Sequence, residues 1–120
     1  MRRTGRRRDG RLRVEIPGHL ITLDGKPRIA LCDVSQSGAR LRSSANLQMG
    51  EDGILTWLGY EAFGRIVWIA KGYAGIEFEE LLPPDILIKT RDIVDQGLAP
   101  KEENIAYEAA RNWYTGYDTA

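Results

Sequence analysis

The sequence has one cysteine (Cys32), one histidine (His19) and only two residues each of phenylalanine and methionine in its 120 positions. A single cysteine excludes an internal disulfide framework and any zinc site built from several thiolates, and it suits a reducing compartment. Long apolar runs are missing too. Nothing approaches the roughly 18 residues that a bilayer-spanning helix needs. The basic start carries the charge of a secretory leader, but Arg11-Leu12-Arg13-Val14-Glu15 stands where the apolar stretch of a leader belongs. The expectation is a cytoplasmic chain with no membrane insertion. A lone histidine, without a neighbouring nucleophile or a second ligand, offers no general acid–base pair and no metal set. Walker loops, Gly-x-Ser-x-Gly elbows and His-Glu-x-x-His helices do not occur. The inventory points away from an enzyme and from any resident cofactor or metal.

Apolar residues make up 42% of the chain. That suffices for one modest core in one domain, without staples. Net charge is zero, yet residues 1–13 hold seven arginines against the single Asp9. The basic end is thus near +6, offset mostly by the acidic stretch after Glu77. A chain polarised in this way offers its basic end to an anion.

Residues 1–10 are glycines and arginines with almost nothing apolar, and read as a flexible basic arm. From Leu12 the pattern is that of strands. Val14, Ile16, Leu20 and Leu23 fall mostly at even spacing, ahead of an Asp24-Gly25 hairpin turn. Further strands run from Ile29 through Leu31 to Val34, along Ala39-Arg40-Leu41-Arg42, and along Ile54-Leu55-Thr56-Trp57-Leu58. A turn across residues 59–64 leads to strands over 65–70 and 73–78. Six short strands at such spacing predict a mainly β fold, closed as an antiparallel barrel so that no sheet edge is left bare. Pro83-Pro84-Asp85 then opens a helix through Ile86, Thr90, Ile93 and Val94, with Gly97 as its stop. A second helix is expected after Pro100, with Ile105, Ala109 and Trp113 on one face. The division is a basic arm (1–10), a barrel domain (11–97) and a helical tail (98–120).

Two features could recognise a ligand. Arginine's planar fork donates to the O6/N7 edge of guanine, pairs with phosphate oxygens, or stacks on a purine. Arg6-Arg7-Arg8-Asp9-Gly10-Arg11 puts several such forks just before the first strand. By themselves they describe a solvated basic tail that holds anions loosely. The second feature is Asp33-Val34-Ser35-Gln36-Ser37-Gly38, at a strand–turn–strand junction. Asp33 can accept from the N–H donors of a guanine, Ser35 can add a hydroxyl, and Gly38 lets the backbone turn and approach closely. Asp and Ser also populate such turns for purely local reasons.

Taken in order, Arg7-x-x-x-Arg11 and Asp33-x-Ser35-x-x-Gly38 resemble the paired motifs of the PilZ domain family, bacterial receptors for cyclic di-GMP. Gly64-Arg65-Ile66-Val67-Trp68 and Gly75-Ile76-Glu77-Phe78 are similar to that family's last two barrel strands. The resemblance covers roughly residues 6–90. It implies a six-stranded antiparallel PilZ-type β-barrel with one or two C-terminal helices, acting as a non-enzymatic cytoplasmic receptor. It also implies cyclic di-GMP contacts from Arg7, Arg11, Asp33, Ser35 and Gly38. An arginine at Arg6 accompanies two stacked ligand molecules in such proteins. Arg2/Arg6 and Arg3/Arg7 share the four-residue spacing, and Arg7/Arg11 is preferred because it alone abuts the strand. On this reading the ligand orders the arm and creates a surface for an effector protein that the sequence does not identify. One alternative is a PilZ-like adaptor that binds protein and no nucleotide. Another is a basic-arm nucleic-acid module, disfavoured because basic and aromatic residues thin out beyond residue 13.

Overall fold

A computed structural model describes residues 10–99. Arg6, Arg7 and the expected second helix lie outside the described residues. Six strands form a closed antiparallel barrel in the spatial order β1-β2-β3-β6-β5-β4. They are β1 (Leu12–Ile21), β2 (Arg28–Val34), β3 (Gly38–Arg42), β4 (Asp52–Trp57), β5 (Tyr60–Ala70) and β6 (Tyr73–Phe78). One helix, α1 (Pro84–Asp95), follows. The mainly β, six-stranded barrel expected from the strand spacing is thus observed.

Alternation explains the interior. Along β1 the even-numbered residues Val14, Ile16 and Leu20 are buried, while Arg13 and Glu15 are exposed. Leu31, Leu41, Leu55, Trp57, Ile66 and Ile76 complete one core between the strands. β1 closes the ring because it serves two partners. It pairs with β2 from Leu12↔Val34 to His19↔Arg28, and its last residues pair with β4 through His19↔Thr56 and Ile21↔Ile54.

Two turns differ from expectation. In the first hairpin Thr22 and Gly25 exchange backbone hydrogen bonds, so Leu23 and Asp24 are the central residues. Leu23 is therefore a fully exposed turn tip and does not continue the apolar face of β1. The β4–β5 connection is only Leu58-Gly59, between paired Trp57 and Tyr60. Both residues have positive φ (50° and 86°), which suits the right-handed twist of a tight hairpin and favours glycine at its second position. Residues 60–64, expected as turn, are consequently the start of β5.

Helix α1 begins with Pro84 at its first position and Asp85 in its first turn, both favourable at a helix start. It ends before Gly97, whose φ is 72°. Its Ile86, Leu87 and Val94 pack on the core. Thr90 is fully buried there, and its hydroxyl accepts a 3.2 Å hydrogen bond from the Trp57 indole N–H. The same hydroxyl donates to the Ile86 carbonyl at 2.7 Å.

Candidate functional site: an arginine–aspartate row on the outer wall

Strand register decides which side chains meet outside the barrel. Leu31 pairs with Leu41 and Val34 with Ala39, so β2 carries one more residue than β3 over the same stretch. Leu12↔Val34 and Ile16↔Leu31 show that β1 carries one more again. The bulge in β2 lets Leu31 and Val34 both join the core, three residues apart, and leaves Asp33 on the outer side between them, beside the buried Cys32. Glu15, in the facing bulge of β1, has φ 55°. Burial raises the pKa of the Cys32 thiol above its ordinary value, with the nearby Glu15 carboxylate adding to the effect, so it stays protonated. His19, also on the outward side of β1, is shifted down by partial burial and then by Arg28 and Lys26.

Asp33 consequently lies between two arginine-bearing strands, opposite Arg13 on β1 and Arg40 on β3. The row continues around the wall from Arg40 to Gly75 on β6 and from Gly75 to Trp68 on β5. A Cβ at Gly75 would run into the Trp68 indole, so the ring lies over that glycine. It remains 40% exposed. Five strands at about 4.8 Å spacing make the row about 19 Å from end to end.

The carboxylate of Asp33 is only 8% exposed and both its oxygens are engaged. Oδ1 accepts a 2.5 Å hydrogen bond from Nη1 of Arg11, whose side chain is 60% exposed. Oδ2 lies 3.1 Å from Nε of Arg40. That distance makes an ion pair, but the alignment does not make a hydrogen bond, and the buried Nε–H has no other partner. The Arg40 guanidinium sits over the Tyr73 ring, 5.3 Å from its centroid, within cation–π range.

The Asp33–Gly38 turn is held from three sides. Ser35 donates both its amide (2.8 Å) and its hydroxyl (3.2 Å) to the Gly38 carbonyl. Gln36 is tied to Leu82 by its amide side chain, which donates to the Leu82 carbonyl at 2.9 Å. The Ser37 carbonyl accepts from the Phe78 amide at 2.8 Å. Ser35 is buried, and its hydroxyl spans the turn. Gly38 is required by its neighbour strand: a Cβ there would collide with the Ile76 carbonyl oxygen.

Of the six residues singled out by sequence, the structure gathers Arg11, Asp33, Ser35 and Gly38 at one end of the barrel wall. Arg6 and Arg7 fall outside the described residues. Arg40, Tyr73 and Trp68 were not singled out, although the alternation Ala39-Arg40-Leu41 already placed Arg40 on the outer face. A cleft of about 260 Å³ bordered by Asp52, Phe63, Arg65, Glu77 and Glu79 lies further along the wall. It contains none of the six.

Such a surface joins cationic forks, one fixed carboxylate acceptor and an aromatic face. Groups of these types can pair with phosphate oxygens and can hydrogen-bond or stack on a base. The sequence comparison agrees: the family model for the PilZ domain matches residues 5–96, and the chain belongs to the PilZ domain family of cyclic di-GMP receptors. A search of the curated proteins finds no match. Among the described residues, no helix is long and apolar enough to cross a membrane.

Proposed function

We propose that this protein is a cytoplasmic receptor that binds cyclic di-GMP on the outer barrel wall and releases it unchanged. Supporting this is the position of Asp33, an outward carboxylate on a strand bulge with arginines on both sides. Arg11, with Arg7 from the arm, takes phosphate oxygens and the guanine O6/N7 edge. Asp33 accepts from the guanine N1–H and N2–H, the Ser35–Gly38 turn keeps that acceptor in place, and Trp68 offers a stacking face. Arg6 extends the cationic surface for a second, stacked ligand molecule. Ordering of the arm then builds the surface that an effector protein recognises.

Isothermal titration with cyclic di-GMP tests the proposal. Wild type should bind with one or two ligands per chain. Arg11→Ala and Asp33→Ala should each weaken binding about 30-fold, the loss of one charge-assisted contact of about 2 kcal/mol. Undiminished affinity in both variants would remove the assignment of this site. A basic-arm nucleic-acid module would instead retard DNA or RNA in a gel and ignore the dinucleotide.

A further inference from the structure

Arg11 and Arg40 hold the same carboxylate in different ways. Arg11 is the more exposed, at 60% against 37%, and comes from the residue before β1. Arg40 is rooted mid-strand in β3, its guanidinium is laid on Tyr73, and its Nε is shielded from water. That Nε–H is a buried donor lacking an aligned acceptor, with Asp33 Oδ2 3.1 Å away. The other oxygen of that carboxylate, Oδ1, is held by the hydrogen bond from Arg11.

We propose that Arg40, clamped by Tyr73, is the positioning residue that takes over Asp33 when Arg11 leaves it for the ligand. This rests on the cyclic di-GMP reading above. In the ligand-free protein the Arg11 fork covers Oδ1, the oxygen a guanine needs. A phosphate draws Arg11 away, Asp33 turns onto the waiting Nε–H of Arg40, and Oδ1 is presented to the guanine donors. Without Arg40 the released carboxylate would be poorly paired and free to rotate, and its acceptor would be aimed at nothing. Tyr73 contributes by keeping the guanidinium in one orientation.

The test is titration with cyclic di-GMP across a set of full-length variants at two salt concentrations. Arg40→Lys keeps the charge and loses the Nε–H, and should bind about tenfold more weakly. Arg40→Gln, which removes the charge, should leave the salt dependence near that of wild type, because Arg40 does not meet phosphate; Arg11→Ala should flatten that dependence. Tyr73→Leu should cost about threefold to fivefold, and Tyr73→Phe, which keeps the ring, should restore wild-type affinity. Thermal melts identify any variant that fails to fold, and the Tyr73 pair then decides alone. Wild-type affinity in Arg40→Lys and Tyr73→Leu, with Arg11→Ala still impaired, overturns the inference and leaves the receptor reading standing. A salt dependence flattened in Arg40→Gln as in Arg11→Ala makes Arg40 a direct ligand contact and also overturns it. Failure of wild type to bind removes both.

Discussion

Gly38 ends the Asp33–Gly38 turn and begins β3, where that strand runs tightly beside β6. The hydrogen that stands in place of a side chain is all that fits against the Ile76 carbonyl. Gly38→Ala should therefore destabilise the fold by about 1–3 kcal/mol, the usual cost of forcing an extra carbon into a filled site, as measured by urea unfolding. Sequence reading assigned the Gly38 position to turning and to ligand approach. The strand-to-strand contact was hidden because nothing in Ser35-Gln36-Ser37-Gly38 says which strand comes alongside. Ser35 has the same history: it stood out as a hydroxyl for a ligand, and the structure shows that hydroxyl bracing the turn. Asp33 and Arg11 were legible because their types and order form a motif. The role of Arg40 was not, since its meeting with Asp33 depends on a bulge and a neighbour strand.

Among the elements, the strands were readable from alternation and the turns were readable only in part. The hairpin at Leu58-Gly59 needs two residues, and the run of 59–64 looked like a longer loop because Gly59 and Gly64 bracket it. Gly64 is in fact a strand residue facing Gly53, and β5 passes through it. Helix α1 was legible from its proline start and glycine stop, but its anchor was not. That anchor is the Trp57–Thr90 hydrogen bond, which ties the end of β4 to the middle of the helix. Thr90→Val preserves shape and strands a buried indole N–H, so unfolding free energy should fall by about 1–3 kcal/mol. Chemical denaturation followed by Trp fluorescence would show it. An unchanged midpoint would mean that the helix is held by its apolar contacts alone.

At the scale of the whole molecule, the charge is divided by sequence position, with a basic beginning and an acidic end. Such a division favours capture of an anionic ligand at low ionic strength and weakens it as salt screens the field over roughly 8–10 Å. Affinity for cyclic di-GMP should accordingly fall several-fold between about 50 and 300 mM salt, read from titrations at both. An affinity indifferent to salt would place recognition in stacking and neutral contacts instead.

Closure of the barrel has a further consequence for how this surface can evolve. In an open sheet an inserted residue can slide a strand outward at the edge, where nothing downstream has to answer. A ring offers no such exit, so each extra residue must be absorbed beside its nearest neighbours or disturb pairing around the full circumference. The pairings of β1, β2 and β3 absorb theirs within a few residues of Asp33. Those stretches, and the β5 bulge between Ile66 and Trp68, are where insertions and deletions can change the presented chemistry while the core keeps its phase; elsewhere on the ring, adaptation is confined to exchanging one side chain for another.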